Sequence, residues 1–148
     1  MRLSEHFNLD EFIFSETAIR RKIDNTPPPA VIENLEKLCQ LVLEPTRILL
    51  GGRPLTITSG YRCLELNTAI GSQPTSHHVL GGAADFVCPA FGSPYQIALL
   101  LSKSGIPFGQ LIHEFKSWVH LSSLSVSKPE NRIITIDHDH PSGIAGII

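Results

Sequence analysis

The chain has 148 residues, and its composition of 42% hydrophobic and 18% charged residues predicts one globular domain with a buried core. Its formal net charge is −2 without a long run of Lys or Arg, which gives nucleic-acid binding little electrostatic support. No apolar stretch approaches the roughly 20 residues that span a bilayer, which argues against a membrane-spanning protein.

The first residues predict an arm packed on that single domain, residues 1–148, rather than a domain of their own. Residues 1–26 contain five apolar anchors: Phe7, Leu9, Phe12, Ile13 and Phe14. An early Arg2 is not followed by an apolar segment, so the pattern is not that of a signal peptide. We therefore expect synthesis in the cytoplasm, and release by another factor if the protein acts outside the cell.

A helix is predicted after the three prolines at residues 27–29, since proline suits the first helical turn. Apolar residues at nearly helical spacing predict one buried face: Val31, Leu35, Leu38, Val42 and Leu49. Pro45 lies inside this pattern and is expected to kink or end the helix, and Gly51-Gly52 to stop it. The β-branched residues within 55–58 then predict a short strand.

The rest of the chain alternates between two predicted helices and four predicted strands. The helices are expected at residues 64–70 and 94–104, and the strands at residues 83–88, 110–114, 118–122 and 132–137. Residues 115–117 form a tight connection between two of these strands. Because helices come first and most strands later, the pattern favours the α+β class.

Two His and one Asp form a candidate ligand set for a catalytic zinc, which keeps its fourth position open for water. His78 and Asp85 flank a Gly-Gly turn, and His120 follows on a later strand. Glu114 could face the same surface as His120 and serve as general base. Such a constellation is the chemistry of a zinc peptidase. The spacing alone leaves the choice between His77 and His78 open.

Other clusters have simpler interpretations. The three cysteines, Cys39, Cys63 and Cys88, are an odd number without a C-x-x-C pair, which favours reduced and mostly buried thiols. A role for Cys63 or Cys88 as a metal ligand is the alternative. Residues 137–140, Asp-His-Asp-His, lie in a polar, turn-rich tail, and we expect a solvated loop there.

Two motifs resemble the signature of the zinc D-Ala-D-Ala carboxypeptidase family. They are Ser76-x-His78-x-x-Gly81-x-Ala83-x-Asp85 and Glu114-x-x-x-Trp118-x-His120. Residues 59–62, Ser-Gly-Tyr-Arg, and Asn67 are similar to what that family carries upstream. The family includes phage L-alanyl-D-glutamate endopeptidases and shares its fold with the hedgehog signalling domain. The resemblance covers roughly residues 5–140 and implies a small antiparallel sheet with helices packed against it.

The resemblance implies a zinc cofactor held by His78, Asp85 and His120. It identifies Glu114 as the general base, six residues before the last ligand, whereas some relatives place the base three residues before it. It identifies Arg62 as the group that contacts substrate and stabilises the oxyanion.

The resemblance also places Ser76 on the substrate side of the site. Trp118 belongs to the second motif and is predicted to bind substrate, although a Trp is more often a core residue. The partner implied by the resemblance is a peptidoglycan stem peptide.

The predicted function is therefore zinc-dependent hydrolysis of an amide bond in peptidoglycan stem peptides, by a carboxypeptidase or an endopeptidase, with a phage lysin as one setting. A zinc-containing wall-binding module without turnover and a structural part of a phage particle are the alternatives. The presence of both Glu114 and Arg62 favours the enzyme.

Overall fold

A six-stranded mixed sheet is the framework of the protein, with strand order β1-β2-β4-β3-β5-β6. The computed structural model describes residues 1–126 and 130–148. The strands are β1 (Thr56–Ser59), β2 (Ala83–Val87), β3 (Gln110–Glu114), β4 (Trp118–Ser122), β5 (Arg132–Ile136) and β6 (Ile144–Ala145). The α-helices are α1 (Leu9–Ile13), α2 (Glu16–Arg21), α3 (Pro29–Leu38), α4 (Glu44–Leu49), α5 (Leu64–Ala69) and α6 (Pro94–Ser102).

The predicted α+β class is confirmed, and most predicted elements form within two residues of the expected bounds. The arrangement of the sheet differs from the expected antiparallel one at a single pairing, since β3 and β5 are parallel. The chain leaves β4 at Ser122 and enters β5 at Arg132, and both residues lie beside the start of β3. β5 therefore runs along the free edge of β3 in the same direction. The two-residue strand β6 was not expected.

Pro45 neither ends the helix nor interrupts it, because the turn before it is widened. α3 continues through a π-helical turn, Cys39–Leu43, directly into α4. In that turn the Glu44 N–H donates to the carbonyl of Cys39, five residues back. A proline ring clashes with the carbonyl four residues earlier in a regular helix, and a π turn shifts that carbonyl. The expectation that Pro45 would end the helix is wrong for this reason, and the alternative of a kink stays a prediction.

The two faces of the sheet have different environments. One face carries apolar side chains that pack under the helices: Ala84, Phe86, Leu111, Val119 and Leu121. The register places Asp85, Ile112 and His120 in one row across the opposite face, because residues paired across strands point to the same side. Asp85 and His120 thus lie on the face away from the main core, whereas the buried His113 and Thr135 share the core face with Val119.

The N-terminal arm packs against the core, as its apolar anchors suggested. Phe7 and Phe12 are fully enclosed and meet edge to face, with ring centroids 6.0 Å apart. The Glu44 carboxylate holds the start of the arm by accepting hydrogen bonds from the Ser4 hydroxyl and the His6 N–H, each at 2.7 Å. Phe14 is exposed rather than buried. That residues 1–148 form a single domain stays a prediction.

No helix within residues 1–126 and 130–148 combines the length and the apolar character needed to cross a membrane.

Candidate active site

Three buried side chains from different elements meet on the polar face of the sheet. The His78 Nε2 lies 3.2 Å from Asp85 Oδ1, and the His120 Nδ1 lies 2.9 Å from the same oxygen. Their exposed fractions are 2% for His78, 7% for Asp85 and 6% for His120. Among the residues that the structure describes, this is the one group of His, Cys, Asp and Glu side chains positioned to share a metal ion.

His78 is oriented by its local backbone and by a partner behind it. It lies in a 3₁₀ turn, His77–Leu80, which ends at Gly81 with φ of +73°. A side chain at Gly81 would also lie 2.8 Å from the carbonyl of Val31, so glycine suits both the turn and the packing. The His78 Nδ1 lies 2.6 Å from the Gly60 carbonyl. Donation to that carbonyl leaves Nε2 without a proton and directed at Asp85.

Asp85 and His120 face each other because β2 and β4 pair in that register. Burial alone would raise the pKa of Asp85, but the imidazoles of His78 and His120 outweigh it and hold that pKa well below its usual value. Asp85 is therefore an ionised carboxylate between two ring nitrogens. This is a charge that a bound cation would neutralise.

The donor set fits zinc. Two imidazole nitrogens and one carboxylate oxygen are the ligand types of catalytic zinc sites. Ligands bound at 2.0–2.1 Å in a tetrahedron lie about 3.4 Å apart, which is close to the 2.9 and 3.2 Å between these atoms. The hydrogen bond between His78 and the Gly60 carbonyl supplies the outer contact that metal-bound imidazoles usually make.

Glu114 lies at the edge of this group, at the end of β3. Its Oε1 is 3.8 Å from the His120 Nδ1, beyond hydrogen-bond distance. Burial and the nearby Asp85 charge raise the pKa of Glu114, although His120 and Arg62 oppose the shift. A carboxylate next to the metal-ligand group with a raised proton affinity has the properties of a general base.

Arg62 lies on the other side of the group and is held by the same segment that carries His78. Its backbone N–H donates to the His78 carbonyl at 3.1 Å, and its guanidinium donates to the Ser76 hydroxyl at 3.3 Å. Burial lowers the pKa of Arg62, while Asp85 and Glu114 raise it. The buried Nε of Arg62 has no hydrogen-bond partner in the described part of the chain, so a donor is left for a substrate oxygen.

Trp118 is placed beside Glu114 by an unusual hairpin turn. Phe115 and Lys116 have φ of 50° and 59°, a region that glycine or asparagine normally occupies. The Ser117 N–H donates to the Glu114 carbonyl at 2.9 Å and closes the turn, after which Trp118 pairs with Glu114 across the strands. The indole N–H of Trp118 is buried and makes no hydrogen bond of good geometry among the described residues, but it lies close enough to the Glu114 carboxylate to lower the pKa of that group.

A cleft with two lobes opens at the metal-ligand group, with all three ligands in the lining of one lobe and Asp85 also in the lining of the other. One side, which we call the arm lobe, has a volume of about 570 Å³ and is lined by Phe14, Glu16, Thr17, Ile57, Tyr61 and Ile70. The other, the polar lobe, has a volume of about 550 Å³ and is lined by Ser72, Gln73, His77, Gln110, Glu114 and Arg132. Arg62, Asp85 and Trp118 line both lobes, so the two meet at the metal-ligand group.

The structure thus brings together all seven predicted site residues: Arg62, Ser76, His78, Asp85, Glu114, Trp118 and His120. His77 lies next to the group but is not part of it. Cys63 and Cys88 are free thiols and also lie outside the group. Asp137 accepts the His140 N–H at 2.7 Å within its own loop, and His138 and Asp139 are exposed, as expected for a solvated loop.

Several residues of the cleft were not recognised from the sequence. Gly60 orients His78, Phe14 and Glu16 line the arm lobe, and Gln110 and Arg132 line the polar lobe. The alternation of side chains along β3 places Gln110 on the same face as Glu114 and was available as a signal. Arg132 had no such signal, because the pairing of β5 with β3 was not predicted.

Residues 5–122 match a family model described as Peptidase M15. The match covers all seven site residues and ends at the last residue of β4. None of the curated proteins matches the chain.

Proposed function

The chain belongs to the peptidase M15 family of zinc metallopeptidases, and from that premise we propose that it hydrolyses an amide bond in the stem peptides of peptidoglycan. The observation that carries the proposal is the buried His78–Asp85–His120 group with Glu114 beside it and a two-lobed cleft that opens there. The family acts on peptidoglycan peptides, which supports this substrate class.

In the proposed mechanism, His78, Asp85 and His120 would hold the zinc ion. When bound, zinc supplies a Lewis acid that lowers the pKa of water and polarises a carbonyl group. Glu114 accepts the proton from the attacking water at its carboxylate and passes that proton to the leaving amine. Its raised pKa brings its proton affinity closer to the one needed at neutral pH.

Arg62 and Trp118 act on the substrate itself. Arg62 carries a buried N–H without a partner, which can donate to the oxygen that gains negative charge during attack. Donors of this kind are worth about 3–4 kcal/mol of the barrier. The buried indole N–H of Trp118 lies beside Glu114 at the junction of the two lobes, where it can donate to that carboxylate or to a peptide carbonyl. The Ser76 hydroxyl accepts a hydrogen bond from the Arg62 guanidinium and so helps to orient it.

We propose that the cleavage is internal. An endopeptidase needs room for residues on both sides of the bond that it cuts, and the cleft has two lobes of about 570 and 550 Å³ that meet at Asp85. A carboxypeptidase needs such room on one side only. A lytic role in a phage setting and synthesis in the cytoplasm stay predictions.

The deciding experiment is mass spectrometry of purified peptidoglycan after digestion by the zinc-loaded protein. We expect new amino termini within the stem peptide. Loss of a terminal D-Ala alone would instead identify a carboxypeptidase. Failure to release any product from a zinc-loaded protein would contradict the enzyme and favour a wall-binding or phage structural protein.

Glu114→Gln is the matched control for that digestion. The amide has nearly the same shape but cannot accept the proton, so we expect the rate to fall about 10²- to 10⁴-fold. Zinc content should be unchanged, because Glu114 is not in the ligand group. Full activity of the zinc-loaded variant would exclude Glu114 as the base.

A further inference from the structure

The polar lobe contains an arginine to which neither the family match nor the proposed mechanism gives a role. Arg132 is the first residue of β5 and lies beyond residues 5–122, which match the family model. It pairs with Gln110 of β3, and both side chains line the polar lobe. Because Gln110 and Glu114 are four residues apart on one strand, they point to the same face, and Arg132 shares it.

The charge of Arg132 is not neutralised within the structure. Among residues 1–126 and 130–148, no carboxylate lies within ion-pair distance of it. The two acidic residues that line the polar lobe are Asp85 and Glu114. Asp85 is held between His78 and His120, and Glu114 lies near His120 at the far end of β3 from Arg132. The polar lobe therefore offers a cation without a local anion.

Apart from Ile112 and Ile136, the other side chains of this lobe are hydrogen-bonding groups. Ser72, Gln73 and Thr75 come from the loop before the 3₁₀ turn, and Gln110 and His77 lie on the sheet side and in that turn. Arginine binds a carboxylate through two parallel N–H···O hydrogen bonds, and neighbouring side-chain amide groups can donate hydrogen bonds to the same oxygens. The arm lobe is different, since Glu16 adds a second carboxylate to Asp85 there and apolar side chains form much of its lining.

We propose that Arg132, assisted by Gln110, binds a carboxylate of the substrate in the polar lobe and selects acidic peptides. The inference rests on the proposed peptidase function, since it concerns the same cleft. His120 is in one row with Ile112 and Ile134, and Arg132 is two residues before Ile134. With strands about 4.8 Å apart and about 3.3 Å per residue, its Cα is about 12 Å from that of His120. The carboxylate therefore lies within about three residues of the bond that is cut.

The test measures binding by isothermal titration calorimetry to zinc-loaded Glu114→Gln protein, which does not consume the peptide. Three versions of one stem peptide are compared. The first has both its internal and its C-terminal carboxylate, the second has the internal carboxylate converted to an amide, and the third has the C-terminal carboxylate converted to an amide. The comparison shows whether the recognised group is internal or terminal.

We expect one of the two amide peptides to bind about threefold to tenfold more weakly than the first peptide, a modest factor because Arg132 is exposed. Adding Arg132→Gln should abolish that difference, and Arg132→Lys should keep part of it, since lysine has the charge without the planar fork. Adding Arg20→Gln, which removes the same charge from an exposed position on α2, should leave the difference intact.

Equal binding of the three peptides, no binding of any of them, or a preference that survives Arg132→Gln would overturn the proposal. Hydrolysis by the unmodified protein is measured separately on the same peptides. Hydrolysis without an Arg132-dependent preference would refute the carboxylate site and leave the proposed function standing. Arg132-dependent binding without hydrolysis would support the carboxylate site and refute the proposed peptidase function.

Discussion

His77 and His78 are neighbours of the same residue type, and their different partners decide which one belongs to the ligand group. His78 has the Gly60 carbonyl on one ring nitrogen and Asp85 on the other. His77 lines the polar lobe without joining the group, and burial together with the nearby His120 and His78 lowers its pKa. The difference lies in the direction of the side chains and not in the residue type.

That difference predicts opposite results for two adjacent substitutions. His78→Ala removes a ligand and should abolish zinc binding at stoichiometric metal, as should His120→Ala. His77→Ala should keep one zinc per chain. Metal content after dialysis, measured by inductively coupled plasma mass spectrometry, distinguishes them. Full occupancy in His78→Ala would show that the ligand set is wrong.

At the scale of elements, the N-terminal arm and the site meet at Gly60, directly after β1. A side chain at Gly60 would lie 2.5 Å from the Phe12 carbonyl and 2.6 Å from its Cα, which is backbone that cannot rotate away. The next residue, Tyr61, donates its N–H to the same Phe12 carbonyl. Gly60 thus allows α1 to approach β1 closely while its own carbonyl holds His78.

Gly60→Ala should therefore affect both stability and zinc affinity. We expect a loss of about 1–3 kcal/mol in the free energy of unfolding from overpacking, and a zinc affinity about 10- to 100-fold weaker because the outer partner of His78 moves. Urea unfolding and a competitive zinc titration measure the two effects. Thr56→Ala, at an exposed position of β1, is the control and should leave zinc affinity unchanged. Unchanged zinc affinity in Gly60→Ala would refute the link.

The contact between the arm and α4 predicts a pH-dependent stability. Burial raises the pKa of Glu44, but hydrogen bonds from His6 and Ser4 outweigh it and hold the pKa below its usual 4.5. A lowered carboxyl pKa stabilises the fold above the unfolded-state pKa, and this contribution is lost as the pH falls through the folded-state pKa.

Glu44→Gln should thus lower the free energy of unfolding at pH 7 by about 1–3 kcal/mol. The gap to the unmodified protein should shrink as the pH falls below 4.5. Urea unfolding at a series of pH values measures it. Glu33→Gln is the control, since its pair with Lys37 is exposed and worth less than about 0.5 kcal/mol. A gap that stays constant down to pH 3 would contradict the assignment.

At the scale of the whole molecule, the metal-ligand group connects β2, β4 and the 3₁₀ turn. Zinc binds the folded state, where the three ligands are together, so metal at 100 times its dissociation constant stabilises the fold by about 2.7 kcal/mol. For a chain of this size the corresponding rise in melting temperature is about 5–10 °C.

Chelation with EDTA should lower the melting temperature by that amount, and added zinc should restore it. Differential scanning calorimetry measures the change. The His120→Ala protein is the control and should show no zinc-dependent shift, since it lacks a ligand. A melting temperature that is insensitive to EDTA in the unmodified protein would contradict a metal site at these residues.

Much of the fold follows from the amino-acid sequence because its determinants are local. The bounds of β3 and β4 agree with the prediction, since the two strands and their three-residue connection form one hairpin. Together with the predicted hairpin, alternation along the strands allowed Glu114 and His120 to face the same surface, as they do in the structure. The ligand types and their order along the chain identified the metal chemistry and the family resemblance, and the family match confirms that resemblance.

The tertiary structure decided what depends on contacts between distant segments. The hydrogen bond between Gly60 and His78 spans 18 residues, and the arm lobe is formed where the segment around Phe14 approaches β1 and Trp118. The parallel pairing of β5 with β3 brings Arg132 into the polar lobe. Periodicity and spacing in the sequence predict which face of its own helix or strand a residue occupies. They do not record which elements become neighbours, because that choice is made by packing over the whole chain.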